Sequence, residues 1–159
     1  MNKAYKFRLY PNAGQQELMQ KTFGCCRFVF NHYLGKRIEK YKSDKFMMDY
    51  NDYSADMVVL KKELTWLKEV DSIALQSSLK DLDTAYKNFF RRVKNGEKPG
   101  FPKFKSKRDN RKSYKSKKIG TNIEIFKKSI KLPKLGIIKC CVSKDVQSIS
   151  FRYVVQTLI

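Results

Sequence analysis

Acidic side chains are scarce: 15 Asp and Glu face 35 Lys and Arg across 159 residues, for a formal net charge of +20. The deficit is uneven. Residues 1–94 hold 18 cations and 11 anions, whereas residues 95–159 hold 17 cations and only 4 anions. A shell of one sign repels itself, and a polyanion relieves that repulsion. Long apolar runs are missing too. None approaches the ~18 residues that a spanning helix needs, and Met1–Tyr10 lacks the apolar core of a signal peptide. The expected compartment is the cytoplasm, with no membrane partner. DNA, RNA and an anionic lipid surface remain as polyanions. The densest basic run, Lys103 to Lys118, has nine cations and one anion, Asp109. It offers no greasy face of the kind a membrane-surface helix needs, which favours nucleic acid.

Histidine is nearly absent. His32 is the only one, and in Asn31-His32-Tyr33 it lies on an aromatic helix, where packing explains it better than catalysis. No Ser or Cys nucleophile has a recognisable base. Asp81 and Asp83 cannot share a helix face at a spacing of two. The four cysteines form adjacent pairs, Cys25-Cys26 and Cys140-Cys141, whereas tetrahedral zinc sites use spacers of about two to four residues. They read as reduced thiols serving as small apolar residues. No catalytic residue, metal site or cofactor is expected.

What is present alternates between two periods. Tyr5, Phe7 and Leu9 alternate with Lys6, Arg8 and Tyr10, which predicts a strand with one apolar and one largely basic face. Lys6 and Arg8 are either a solvated strand edge or a track for nucleic-acid backbone. Pro11 stops the strand. Asn12 predicts a helix N-cap, with Gln15 completing a capping box. Apolar positions then recur to about Tyr41 and are interrupted at Gly24. That Gly permits a helix-turn-helix or one long helix with a tolerated Gly. Lys42 to Asp49 reads as a loop. A second helix is expected over about Asn51 to Leu64, using Met57, Val58 and Leu60. Asp71 caps the clearest helix, whose seam is Leu75, Leu79, Leu82, Tyr86, Phe89 and Val93, with Phe89-Phe90 read as core. Arg91, Arg92 and Lys94 suit its C-terminal dipole, and Asn95-Gly96 ends it.

After Gly96 the character changes. Pro99-Gly100-Phe101-Pro102 cannot be helical. In the basic stretch that follows, Lys103, Lys105, Lys107, Arg108, Arg111, Lys112 and Lys115 are interleaved with the rings Phe101, Phe104 and Tyr114. Cations would clamp phosphates and rings would stack on bases or sugars. Short strands are expected at Asn122–Phe126, Ser129–Leu132, Ile137–Val142 and Ile149–Val155. The fold class is α+β: a strand, a helical block, then strands.

Several words in this order resemble the TnpB (OrfB) family of bacterial insertion sequences. They include Lys6-Phe7-Arg8-Leu9-Tyr10-Pro11-Asn12, Cys26-Arg27-Phe28-Val29-Phe30-Asn31-His32, Trp66-Leu67, Ala74-Leu75-Gln76 and Ala85-Tyr86-Lys87-Asn88-Phe89-Phe90. Gly100-Phe101-Pro102-Lys103-Phe104-Lys105 and Leu132-Pro133-Lys134-Leu135-Gly136 extend the resemblance to about residue 145. It implies the N-terminal portion of an RNA-guided DNA endonuclease. It also implies a small oligonucleotide-binding-like barrel, the wedge, with a helical recognition block inserted in it. On that pattern residues 1–11 supply the first barrel strand. Residues 12–95 form the recognition block, with 12–45 as the helix-turn-helix region, and residues 96–159 supply the basic loop and the remaining strands.

The resemblance further implies duplex DNA and a structured guide RNA as partners. By motif match it puts the reading of a target-adjacent DNA motif on Tyr50, Ser54, Ser72, Ile73 and Gln76. Gln76 could pair with adenine or be an ordinary surface Gln. The family's acidic RuvC-like nuclease part has no counterpart here, so the barrel is expected to be incomplete and the chain to be a truncated copy that binds without cutting. The alternative is a stand-alone helix-turn-helix DNA-binding accessory protein or regulator.

Overall fold

Asn12 opens the first helix as its sequence predicts. In the computed structural model its side chain accepts from the Gln15 amide at 2.8 Å, and Gln15 Oε1 accepts from the Asn12 amide at 3.0 Å. Residues 6–108 and 112–141 are described, together with the backbone of 152–156. Helix α1, Ala13–Asp44, then runs unbroken through Gly24. Of the two readings of Gly24, this is the single long helix. It also takes up the first three residues of the expected loop. The reason is packing: Met19, Thr22, Phe23, Cys26, Val29, Phe30, Tyr33, Leu34 and Arg37 are all buried at steps of three and four, so one stripe continues across the Gly.

Helix α2, Tyr50–Glu63, is capped by Asp49 in a second capping box. A short 3-10 turn, Thr65–Lys68, leads to α3, Ser72–Lys94, capped by Asp71. Each such cap is worth about 1 kcal/mol. The seam of α3 is buried at Leu75, Leu79, Leu82 and Tyr86. Its last turn is not: Val93 and Phe90 are exposed, because α3 outruns the elements packed on it. Val58 is likewise exposed, and Tyr53, Met57 and Leu60 carry the buried side of α2.

Lys21 meets Glu69, Cys26 meets Ser78, and Arg37 meets Tyr86. Helices α1 and α3 therefore run in the same direction. Arg37 reaches Tyr53, and Phe28 reaches Trp66, so α2 runs against them. Arg37 is the buried pivot. It donates to the Tyr53 hydroxyl at 2.8 Å and lies 3.7 Å from the centre of the Tyr86 ring, tying three helices with one side chain.

The strands are β1 Arg8–Tyr10, β2 Ser113–Lys117, β3 Glu124–Ile125, β4 Ser129–Leu132, β5 Gly136–Cys141 and β6 Arg152–Gln156. An antiparallel sheet has the order β1-β5-β4-β3, and β2 pairs with β6 in a separate ladder. Among the described residues no ladder joins the two. Strand β1 pairs with β5, Leu9 opposite Cys140, so the helices lie between two strands that the sheet makes neighbours. Gln15 fastens this sheet to α1, its Nε2 donating to the carbonyls of Leu135 and Ile137 at 3.1 and 2.9 Å. Ile123, Ile130, Leu132, Ile138 and Cys140 continue the core of the helices.

Four strand expectations shift. The first strand begins at Arg8, with Lys6 and Phe7 outside it. Asn122–Phe126 shortens to Glu124–Ile125, and β5 starts one residue early at Gly136. The last strand is Arg152–Gln156, with Ile149, Ser150 and Phe151 outside the described residues, as are Tyr5 and Val142. The basic run expected as loop contains β2, whose alternation puts Tyr114 and Ser116 inside and Ser113, Lys115 and Lys117 outside.

Candidate nucleic-acid interface

The basic segment is held against the helices by residues that are themselves uncharged. Phe101 sets its edge on Tyr86 and Phe89, with ring centres 5.6 and 5.4 Å apart. Phe104 lies beside Gly35, where an added Cβ would stand 3.9 Å from its ring. Asn31 then clamps the backbone of Lys105. Its Nδ2 donates to the Lys105 carbonyl at 2.9 Å and its Oδ1 accepts from the Lys105 amide at 2.8 Å. The Lys105 ammonium sits 4.1 Å from the Phe30 ring centre.

Further along, Tyr114 packs on Phe23 at 5.6 Å, Lys115 pairs with Asp81 at 2.7 Å, and Ser116 hydrogen-bonds Asp71. Asp71 also accepts from the Ile73 amide at 3.1 Å. One carboxylate thus caps α3 and anchors β2. The contacts run from the middle of α1 and the end of α3 back towards their starts. The segment therefore descends between the two helices, antiparallel to both, with its cations outward.

Lys103, Lys105, Lys107 and Arg108 are exposed on this ridge, as is Lys115. Lys112 is half-buried, and Arg111 lies outside the described residues. Tyr114 is the correction. Expected as a ring for stacking on bases, it is 5% exposed. Burial raises the pKa of its hydroxyl. Its position in β2 turns it inward, because a strand sends alternate side chains to opposite faces.

A second group lines the open side of the α2–α3 seam. The Lys80 ammonium stands 5.1 Å from the Tyr50 ring centre, and Lys61 donates to Ser72 Oγ at 3.1 Å. Gln76 is exposed one turn from each of Ser72 and Lys80, and Ser54 is half-buried one turn from Tyr50. Ile73 is half-buried. Burial, and then the charge of nearby Lys134, lower the pKa of Lys61 against the pull of Asp71. The start of α3 is thus a cationic corner. Lys6 and Arg8 are both exposed, Arg8 on the edge strand β1 and Lys6 two residues before it.

His32 is half-buried between Phe28 and Tyr33, at 5.7 and 4.9 Å between ring centres, as its aromatic context predicts. Cys25, Cys26 and Cys140 are buried and Cys141 is exposed. Burial pushes the Cys26 thiol up to about 12, so it packs as an apolar group. No helix among the described residues is long and apolar enough to cross a membrane. The positioning roles of Asn31 and Ser116 are not legible in sequence, since each partner lies 45 or more residues away.

Residues 1–45 match a family model described as a helix-turn-helix domain, of the OrfB insertion-sequence type; in this structure the matched helical residues are the single helix α1. The chain is 36% identical over 148 residues to "Putative RNA-guided DNA endonuclease InsQ" of Escherichia coli, covering 92% of this chain and 35% of that relative. It is 35% identical over 115 residues to "Putative RNA-guided DNA endonuclease" of Streptomyces pristinaespiralis, covering 71% of this chain and 27% of that relative. The chain thus spans about a third of the length of these two. It is also 34% identical over 116 residues to "Virulence protein VsdF" of Salmonella dublin, covering 67% of this chain and 95% of that relative.

Proposed function

Because the chain belongs to the TnpB (OrfB) family of insertion-sequence proteins, we propose that it binds duplex DNA and a structured guide RNA, as the N-terminal portion of such a protein does. The observation that carries this reading is the ridge Lys103–Arg108. Its backbone is clamped by Asn31, so its cations are presented to solvent with part of the ordering cost already met. Two relatives bear names that specify RNA guidance and DNA as target, which supports both partners. We assign phosphate contact to Lys103, Lys105, Lys107, Arg108, Arg111, Lys112 and Lys115, with Arg8 on the edge strand and Lys6 two residues before it. We assign motif reading to Tyr50, Ser54, Ser72, Ile73 and Gln76 beside the cationic corner formed by Lys61 and Lys134.

The wedge and recognition arrangement belongs to the same reading. Residues 12–95 would be the recognition block, inserted between the first barrel strand within residues 1–11 and the strands of 96–159. The pairing of β1 with β5 across that block supports it. Residues 1–159 would bind and not cut. Two-metal cleavage needs clustered acidic ligands, which the resemblance assigns to the family's RuvC-like part.

Binding of the purified chain to duplex DNA, measured across salt concentration, tests the reading. If ~6 phosphates are neutralised, the log–log slope is about −5. Replacing Lys103, Lys105, Lys107 and Arg108 by Ala should make it shallower by about one for each phosphate no longer neutralised. A flat salt response, or binding unchanged in that variant, would overturn the assignment. Magnesium-dependent cleavage by the chain alone would overturn the separation of binding from cutting.

A further inference from the structure

The four-stranded sheet gives one face to the core and leaves the other open. Residues directly opposite each other on antiparallel strands share a face, so the register assigns every side chain. Ile138, Ile130 and Ile125 form a row on the inner face. On the outer face Tyr10 is opposite Lys139, and Lys139 is opposite Ser129. The Phe126 amide donates to the Ser129 carbonyl at 2.8 Å, which extends that row by one more residue. It therefore reads Tyr10, Lys139, Ser129 and then Phe126, the residue after β3, with an aromatic ring at each end. Neighbouring strands are ~4.8 Å apart, so the two rings are separated by ~14 Å.

The charge around this row is of one sign. Arg8 lies 6.0 Å from the Tyr10 ring centre. At the other end Lys127 and Lys128 occupy the exposed β3–β4 turn, pinned where the Cys140 amide donates to the Lys128 carbonyl at 2.9 Å. The nearest acid in the register, Glu124, is paired with Lys131 at 2.9 Å. Tyr10 is 55% exposed and Phe126 44%. A merely solvated basic face has no need of two large rings in water. Rings set between cations are what an unpaired strand uses, with bases stacking and phosphates clamped.

Accepting that the chain binds nucleic acid, we propose that this outer face is a second, separate surface that takes unpaired nucleotides. Tyr10 and Phe126 stack on bases, and Arg8, Lys127 and Lys139 hold the phosphates. The separation of ~14 Å lets the two rings serve different nucleotides of one strand. The ridge at 103–108 keeps the paired segments through its cations.

The test uses the full chain with three labelled probes: oligouridylate, oligothymidylate and a duplex DNA. Tyr10→Ala with Phe126→Ala should weaken at least one single-stranded probe by at least about tenfold and change duplex binding less than about twofold. Loss confined to oligouridylate identifies RNA as the source, and loss of both identifies unpaired strands in general. Tyr10→Phe with Phe126→Tyr should bind like the parent. Should the double Ala variant lose its helical circular dichroism, Lys127→Ala with Lys139→Ala, both exposed, must show the same selective loss. Unchanged single-strand binding in folded variants, with duplex and single-strand binding both lost in the ridge variant, overturns this surface and leaves the general reading standing. Failure of the parent chain to bind any probe overturns both.

Discussion

Asn31 holds Lys105 by both halves of its carboxamide, donating to the carbonyl and accepting from the amide of the same residue 74 positions away. A side chain on α1 thereby supplies the pairing that a neighbouring strand would otherwise give. Among the described residues no ladder flanks the ridge.

Asn31→Ala removes both bonds at once. At about 0.5–1.5 kcal/mol for each bond, stability should fall by about 1–3 kcal/mol, read from urea unfolding. Amide-exchange protection at Lys105 should disappear while that of α3 survives. Asn31→Asp keeps the acceptor and loses the donor, so it should keep part of the protection. Loss of protection throughout the chain would show that the clamp holds the fold and not the ridge.

Gly24 separates two readings of the N-terminal helical region. In a continuous helix a Cβ at Gly24 meets nothing within 4 Å, so Gly24→Ala should stabilise by about 0.5–1 kcal/mol. In a helix-turn-helix with a left-handed Gly the same change would destabilise. The sign of the shift in the urea midpoint decides.

Ser116 and Asp71 couple the basic strand to the start of α3. Ser116→Ala leaves a buried carboxylate short of one donor and should cost about 1–3 kcal/mol. Asp71→Ala loses this tie and the cap together and should cost more, by roughly the 1 kcal/mol of a cap. A double variant no worse than Asp71→Ala would place both effects in one interaction. Additive effects would separate them.

His32 sets a pH dependence of known sign. Burial first, then the charge of Lys36, lowers its pKa below the ordinary 6.5. The unfolded chain therefore takes up the proton more readily than the folded one. The stabilisation is complete above about pH 6.5 and is lost as pH falls through the lower folded-state value. Unfolding free energy should decline as pH falls below about 6.5, and His32→Gln should flatten that decline. An equal slope in the variant would assign the pH dependence to other groups.

Local chemistry alone determined much of this protein. Asn12 with Gln15, and Asp71 before Ser72, specify helix starts because a cap satisfies amides within three residues of itself. The β4 limits and the positive-φ Gly136 follow from turn and alternation signals of the same short reach. The surplus of 20 positive charges points to a polyanion whatever the fold. Only the tertiary structure decided which basic or aromatic residues face solvent. Lys115 and Tyr114 are neighbours in sequence, yet one reaches Asp81 at the surface and the other is sealed on Phe23. The polar alternation Ser113-Tyr114-Lys115-Ser116-Lys117 hides its inward side because the burial of Ser116 is compensated by Asp71, 45 residues earlier. Whether Gly24 bends the chain was likewise settled by a stripe of side chains meeting α3. Such decisions rest on pairings between distant segments, whose free energy exists only once the chain has closed on itself.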